Sequence, residues 1–233
     1  MNPAAVIPTV ADIVLANPDA ARVFEQHDID YCCHGKRPLA DACEHAGVDV
    51  AVVQAELDEL TGAPATPMAP AGIAALVDHL VSTHHDHLRR ELPRLHALMG
   101  KVVTEHGARH PELAEVAQTL EAVEEDLLPH LDKEEHVLFP LAKELEAAGA
   151  EPIGQASLLS PIRVMHAEHD EVGDLLSALR HRTNGFQSPA DACPTWRALY
   201  AGLADLEHDV HTHVHLENNV LFPRILFLEH SRA

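Results

Sequence analysis

The sequence predicts an all-α protein, an antiparallel four-helix bundle that follows a small helical N-terminal domain. Three observations predict this fold. Apolar residues in the C-terminal two thirds of the chain recur at three- and four-residue steps, and strong strand-like alternation is lacking there. Short segments rich in turn residues separate four long helical patterns. Four such helices with short connections favour an up-down-up-down bundle.

The segment "TGAPATPMAPAG" at 61–72 is rich in Pro, Ala, Gly and Thr, a composition typical of a linker. We therefore predict a small helical domain at 1–62, a linker at 63–71 and the bundle at 72–233. The small domain carries a polar loop with two adjacent cysteines, "DIDYCCHGKR".

Capping residues and apolar patterning define the predicted helices. Thr9 and Asp12 are placed to cap a helix through "ADIVL", and "PLADACEHAG" and "DVAVVQAELDEL" predict two further short helices. Pro93 and Pro129 fall inside the first and second bundle helices, where proline is expected to kink a helix. The four bundle helices are expected near 71–105, 111–148, 159–183 and 193–229.

Composition excludes several classes of protein. Lys and Arg number 16 against 37 Asp and Glu, so the formal charge is -21 and binding to nucleic acid or to an anionic membrane surface is not expected. No basic segment followed by an apolar run marks a signal peptide, and no stretch approaches 18 apolar residues. Four cysteines in a chain of 233 residues do not indicate a disulfide framework, which favours a reducing cytoplasm.

One eleven-residue segment occurs twice. "HLDKEEHVLFP" begins at His130 and "HVHLENNVLFP" begins at His213, and both follow the pattern H-x-x-x-E-x-x-V-L-F-P. At helical spacing, each copy places its His and its Glu, Glu134 or Glu217, in an apolar stripe that ends at Val137 or Val220. A buried carboxylate is unfavourable by several kcal/mol unless it is paired or binds a metal. Two hydrogen-bonded His–Glu pairs are the alternative, but the repetition favours metal.

The partner helices supply two more histidines on their apolar faces. In the first helix His85 continues the apolar face, whereas His84 lies at its edge or outside. In the third helix the apolar face selects His169 over His166. Six further histidines of the bundle are expected at the surface or beside the ligands: His84, His136, His166, His208, His211 and His215. For His211 and His215, a surface metal site is the alternative.

The repeat therefore places four imidazoles and two carboxylates together in the bundle core. This set suits two metal ions bridged by the two glutamates. Mixed imidazole and carboxylate ligands suit iron, with manganese or zinc as possible substitutes. The predicted metal ligands are His85, His130, Glu134, His169, His213 and Glu217.

With these motifs in view, the C-terminal part resembles the hemerythrin-like di-iron bundles, and nearly the whole chain resembles the RIC (repair of iron centres) family. The resemblance rests on "DYCCHGKRPLADAC", "HLDKEEHVLFP", "VMHAEHDEVGDLL", "ACPTWRALY" and "HVHLENNVLFP". It implies two non-haem iron ions, carboxylate-bridged and with an oxo or hydroxo bridge, held by the six predicted ligands. It also implies repair of iron–sulfur proteins damaged by nitric oxide or oxidants. Glu168 matches a family carboxylate near the site, with a solvated charge as the alternative.

The two adjacent cysteines are the remaining candidates for chemistry. Cys32 and Cys33 lie beside His34, Lys36 and Arg37, and neighbouring positive charge is expected to lower a thiol pKa. Two such thiols can carry iron or a nitrosyl group, or join two chains in a homodimer, and the sequence leaves these alternatives open. The thiol pair favours cluster repair, by iron supply or nitric oxide processing, over a hemerythrin-like sensor or carrier of oxygen or nitric oxide.

Overall fold

The computed structural model describes residues 7–60, 69–148 and 157–231. Regular structure in these residues is helical, apart from an isolated bridge between Thr9 and Pro38, so the predicted all-α class is confirmed. None of the described helices is long and apolar enough to cross a membrane. Residues 63–68 of the predicted linker, and most of the turn between the second and third bundle helices, lie outside the described residues.

Residues 7–60 of the N-terminal unit contain four short helices, one more than the sequence predicted. Thr9 and Asp12 form the expected capping box, in which each residue's side chain accepts a hydrogen bond from the other's backbone N–H. Gly47 ends the third helix with a φ of 71°, which favours glycine. The helix missed from the sequence is only seven residues long and too short to show a clear period. The four helices are α1 (Val10–Ala16), α2 (Ala20–Gln26), α3 (Leu39–Ala46) and α4 (Val50–Glu59).

Four long helices form the bundle, and each packs against its sequence neighbour, while the fourth also packs against the first. Three of them are interrupted by a five-residue π-helical turn. The first bundle helix is α5 (Ile73–Leu80), the turn Val81–His85 and α6 (Asp86–His106). The second is α7 (Leu113–Lys133), the turn Glu134–Leu138 and α8 (Phe139–Ala147). The third is α9 (Leu159–Arg182), and the fourth is α10 (Pro194–Leu216), the turn Glu217–Leu221 and α11 (Phe222–His230).

Two of the three π-helical turns have an identifiable cause in the repeated segment. Pro140 and Pro223 each follow a turn and lie in the first turn of the next α-helix. Proline cannot donate to the carbonyl four residues earlier and its ring pushes that carbonyl away, which favours a local widening of the helix. The helices run without interruption through Pro93 and Pro129, where the sequence predicted kinks.

A π-helical turn adds a residue to the helical repeat, and this changes which side chains face the core. Val137, predicted on the apolar face, is 51% exposed, whereas Leu138 is buried. The sequence prediction for Val137 was wrong, whereas Val220, at the same position of the equivalent turn in the fourth helix, is buried as predicted.

The apolar core of the bundle is divided into two clusters. One contains Leu80 and Leu138, and the other contains Leu88 and Leu131. Along each bundle helix the predicted ligands fall between these clusters, so they form a polar layer with apolar packing on both sides.

The N-terminal unit packs against the fourth bundle helix. Its buried Phe24 and Tyr31 belong to the same apolar cluster as residues of α10. Glu25 Oε1 lies 2.9 Å from His208 Nδ1 and 3.5 Å from His211 Nδ1. Burial alone would raise the pKa of Glu25, but the hydrogen bonds and charges of these two histidines outweigh it and lower the pKa to about 2. The Glu25 carboxylate is therefore a charged anchor between the two units.

Gly35 provides a test of this packing. A Cβ on Gly35 would lie 2.7 Å from Ala11 Cβ and 2.9 Å from Asn219 Oδ1, and would also meet the carbonyl oxygen of Tyr31. Gly35→Ala is expected to lower the free energy of unfolding by about 1–3 kcal/mol, since these atoms must move apart. Urea denaturation measures the change. Gly100→Ala is the control, because nothing lies within 4 Å of its added methyl group, and it should leave the protein as stable or slightly more stable.

Candidate metal centre

The six predicted ligands lie together in the polar layer of the bundle, and each is at most 2% exposed. Three of them belong to the π-helical turns, since His85 ends the first turn and Glu134 and Glu217 begin the other two. Extra residues in a helix often occur at functional sites, where they redirect side chains. The turns therefore place ligand side chains from three different helices at one level.

The four histidines form two pairs. His85 Nε2 lies 3.2 Å from His213 Nε2, and His130 Nε2 lies 3.0 Å from His169 Nε2. Each pair takes one histidine from the first two bundle helices and one from the last two. The two copies of the sequence repeat are thus interleaved, and neither copy forms a pair by itself.

The two glutamates lie between the histidine pairs. Glu134 places Oε2 3.5 Å from His85 Nε2 and Oε1 3.3 Å from His130 Nε2. Glu217 places Oε1 3.1 Å from His213 Nε2 and Oε2 3.1 Å from His169 Nε2. Each carboxylate therefore presents one oxygen to each histidine pair. We call the two groups the first half-site (His85, His213, Glu134, Glu217) and the second half-site (His130, His169, Glu134, Glu217).

Unpartnered polar atoms show that this arrangement fits a metal. Both carboxylate oxygens of Glu134 and of Glu217 are buried and have no hydrogen-bond partner among the described residues. Burial, and then the negative charge of Glu217, raise the pKa of Glu134. Leaving buried carboxylates without partners is unfavourable by several kcal/mol, and divalent cations remove this penalty. Imidazole nitrogens that face one another at 3.0–3.2 Å are also placed to share a cation.

Three of the four histidines have a hydrogen-bond partner on the opposite ring nitrogen. Nδ1 of His85 lies 2.9 Å from Glu135 Oε1, and Nδ1 of His169 lies 2.9 Å from Asn218 Oδ1. Such a partner holds the proton on Nδ1 and leaves the Nε2 lone pair for a metal. The sequence analysis missed Glu135 and Asn218, although each directly follows a predicted glutamate ligand.

Glu168, a candidate from the family resemblance, lies behind the second half-site. Its Oε2 is 2.8 Å from His130 Nδ1, and its other oxygen pairs with Lys133. The side chain is 21% exposed, so it connects a buried ligand with the surface. This contact suits Glu168 for orienting His130, and its catalytic role stays a prediction.

Two of the remaining histidines are more deeply buried than the sequence suggested. His84, expected at the edge of its helix face, is 5% exposed, with Nδ1 2.9 Å from Asp209 Oδ1. Its ring stacks on that of His213 with 5.7 Å between the centroids. His215 is fully buried with Nδ1 3.1 Å from the Tyr31 carbonyl oxygen, so the alternative of a surface metal site with His211 is wrong. The π-helical turn and the docked N-terminal unit cover these rings.

Neighbouring histidines of the first bundle helix should differ in their effect on metal content. His85→Ala is expected to lower it, because Nε2 of His85 faces the first half-site. His84→Ala is expected to retain the metal, because His84 contacts Asp209 and lies outside both half-sites. Metal analysis of the two purified variants measures this difference. Equal loss in both would contradict the assignment of His85.

The two adjacent cysteines lie on a loop held by Asp30. Asp30 Oδ1 accepts hydrogen bonds from the backbone N–H groups of Cys32 and Cys33, at 3.0 and 2.8 Å. The two Sγ atoms are 3.8 Å apart and both thiols are free. Cys32 is buried, Cys33 is partly exposed, and the thiols and the Asp30 carboxylate are close enough to hold a metal ion together.

The expectation of a lowered thiol pKa is wrong for Cys32. Its hydrogen bond to Cys33, then burial, and then the negative charges of Cys33 and Asp30 raise the pKa of Cys32 well above the usual value. The sequence prediction considered the basic neighbours, whereas the loop places the Asp30 carboxylate 3.4 Å from the Cys32 thiol.

A hydrogen-bonded path joins this loop to the second half-site. Asn218 accepts from His169 through its Oδ1, and its Nδ2 donates to the Cys32 carbonyl oxygen at 3.3 Å. Asn219 Nδ2 donates to the same carbonyl at 2.9 Å. One amide side chain therefore separates the backbone of the cysteine loop from a predicted metal ligand.

A four-helix bundle around a buried layer of four His and two Glu defines a hemerythrin-like cation-binding protein. Residues 76–225 match the family described as the hemerythrin HHE cation binding domain, and residues 8–61 match a domain of unknown function, DUF542. The bundle thus carries a metal centre of a type suited to iron.

Whole-chain relatives define the family. The chain is 38% identical over 218 residues to proteins named iron-sulfur cluster repair protein YtfE from Escherichia coli O139:H28 and from Shigella boydii serotype 18. Each match covers 93% of this chain and 96% of the relative. The chain belongs to the RIC family of iron–sulfur cluster repair proteins.

Proposed function

We propose that the chain binds two iron ions, one in each half-site, bridged by Glu134 and Glu217. The support is the orientation of the two carboxylates, which each direct one oxygen to each histidine pair. Each half-site then offers two imidazole nitrogens and two carboxylate oxygens. Non-haem iron binds such mixed ligands and keeps open positions for exogenous ligands.

We propose further that this centre serves the repair of iron–sulfur clusters damaged by nitric oxide or oxidative stress in the cytoplasm. The observation that carries the proposal is the contact between the cysteine loop and the second half-site through Asn218. An oxygen carrier needs no thiols beside its metal centre. A repair protein can use them to pass iron or a nitrosyl group to a client, and the relatives are named for cluster repair.

The chain's own residues hold and shield the centre. Glu135, Glu168 and Asn218 fix the orientation of three histidine rings. The apolar clusters on both sides of the polar layer limit access of water from along the bundle axis. Bound iron supplies one-electron redox chemistry and open coordination positions.

Recovery of a damaged client enzyme tests the function. A [4Fe–4S] enzyme inactivated with nitric oxide is incubated anaerobically with the iron-loaded protein, and its activity and cluster spectrum are followed. Recovery is expected with the loaded protein and not with free ferrous iron at the same concentration. Equal recovery with free iron would contradict a specific repair function.

A sensor or carrier of oxygen or nitric oxide is the second candidate, favoured by the open coordination positions that four protein ligands leave at each iron. Stopped-flow spectroscopy with nitric oxide distinguishes the two. A carrier binds nitric oxide reversibly with no client recovery. A repair protein restores the client, and consumption of nitric oxide over many turnovers would indicate that it also processes the gas enzymatically.

A further inference from the structure

A cavity of about 230 Å³ lies between the cysteine loop and the bundle. Its lining among the described residues includes no carboxylate, although the chain carries a formal charge of -21. The loop contributes the Cys33 thiol and three basic side chains, and the bundle contributes a histidine and two amides. These residues are Cys33, His34, Lys36, Arg37, His166, Asn218 and Asn219.

Of the three basic side chains of this cavity, His34 pairs with the Asp30 carboxylate at 2.5 Å, so the uncompensated positive charge belongs to Lys36 and Arg37. Neither Lys36 nor Arg37 has a carboxylate oxygen within ion-pair distance among the described residues. By contrast, Arg89, Arg94 and Arg180 each pair with an Asp or Glu. Uncompensated positive charge that converges on a cavity raises the local concentration of anions.

His166 lies near the same positive charge. It lies on the bundle wall of the cavity, with its ring against Phe222 at 5.4 Å between the centroids. Burial first, and then the charges of His169 and Lys36, lower the pKa of His166. Lys36 on the loop and His166 on the bundle line the same cavity.

A second cavity, of about 530 Å³, also borders the cysteines and is lined by carboxylates as well as by basic side chains such as Arg37 and Arg180. Its carboxylates include Glu25, Asp28, Asp30 and Asp174. Cys33, His34 and Arg37 border both cavities, whereas Lys36 lines the smaller cavity alone. An anion is therefore expected to bind in the smaller cavity, where the described lining residues include no carboxylate.

We propose that the smaller cavity binds a small oxyanion, held by Lys36 and Arg37 beside the Cys33 thiol. A guanidinium group offers paired donors that match oxyanion geometry, and the ammonium group adds a point charge. The volume suits an ion of the size of phosphate or acetate rather than a larger cofactor. The proposal rests on the charges of the loop and does not depend on the iron centre or on the repair function.

Competitive alkylation of Cys33 tests the site in the full-length, iron-loaded protein. Iodoacetate carries a carboxylate and iodoacetamide does not, and both alkylate the thiolate with loss of iodide. The ratio of their rates at Cys33, quantified by peptide mass spectrometry, cancels the thiolate fraction. We expect this ratio to exceed that of free cysteine by about tenfold, and Lys36→Gln plus Arg37→Gln to abolish the excess.

Arg90→Gln plus Lys101→Gln is the matched control, because it removes the same charge from exposed positions of α6. The control should keep the wild-type ratio. Inorganic phosphate should slow alkylation by iodoacetate in the wild type more than sodium chloride of equal ionic strength does. Equal ratios in the two double variants, or equal slowing by phosphate and chloride, would overturn the proposal.

Calorimetric titration with inorganic phosphate decides the question if Cys33 reacts with neither reagent. The wild-type protein and the Arg90/Lys101 control should bind one phosphate per chain, and the Lys36/Arg37 variant should bind none. Absence of binding to the wild type, or binding that persists in the Lys36/Arg37 variant, would overturn the proposed site.

Discussion

A variant that lacks both His130 and His169 is expected to retain about one iron per chain, whereas a variant that lacks His85 and His130 is expected to retain almost none. The first pair of substitutions removes both histidines of the second half-site and leaves the first half-site with its two histidines and two carboxylate oxygens. The second pair of substitutions removes one histidine from each half-site. Elemental analysis of anaerobically purified proteins measures the iron, and the wild type is expected to contain two.

This pair of variants separates two assignments of the ligands. If the histidines of one sequence repeat shared an iron, loss of His85 and His130 would empty one half-site and loss of His130 and His169 would affect both. His136→Ala is the control, because His136 lies in the same π-helical turn as Glu134 but is exposed. It should retain both irons. Equal iron content in the two double variants would contradict the interleaved half-sites.

The fold class followed from the sequence because it depends on the average period of the apolar residues. That period is preserved along each bundle helix even though three helices contain a π-helical turn. The details that depend on single residues did not follow. Val137 faces solvent while Val220, at the same position of the equivalent turn, is buried, so the difference depends on tertiary packing around each turn and not on the local 3.6-residue period.

For the predicted ligands too, the sequence indicated which residues face the core but not which residues contact one another. His85 and His169 were selected because each lies in an apolar stripe, and the structure places both in the polar layer. The pairing of His85 with His213 depends on which helices face each other, which the repeat does not state. The contact of Asn218 with Cys32 joins residues far apart in the chain, so no local pattern predicts it.

The cysteine loop shows how tertiary contacts change the chemistry expected from neighbours in sequence. Lys36 and Arg37 lie close to the cysteines in the chain, yet their side chains line a cavity, while the Asp30 carboxylate contacts the Cys32 thiol. The partly exposed Cys33 is therefore the more accessible of the two thiols. A thiol that borders a cavity and the amide of Asn218, which contacts the predicted ligand His169, is suited to transfer iron or a nitrosyl group rather than to store it permanently.

Replacement of both loop cysteines is expected to separate iron binding from repair. Cys32→Ser plus Cys33→Ser should retain the iron content of the wild type, because neither cysteine belongs to a half-site. The variant should nevertheless restore little activity to a [4Fe–4S] enzyme damaged by nitric oxide, since thiolate is the soft ligand available to pass iron or a nitrosyl group between centre and client. Recovered client activity at equal iron loading is the measurement.

The other two cysteines provide the matched control for this experiment. Cys43 lies in the core and Cys193 precedes α10, and neither is among the groups that border the metal centre. Cys43→Ala plus Cys193→Ser should therefore repair the client as the wild type does. If the Cys32/Cys33 variant also restored full activity, the cysteines would be excluded from the mechanism and repair would depend on the bundle alone. If it lost iron together with repair, the link through Asn218 would be needed to hold His169 in place, and transfer through the thiols would lose its support.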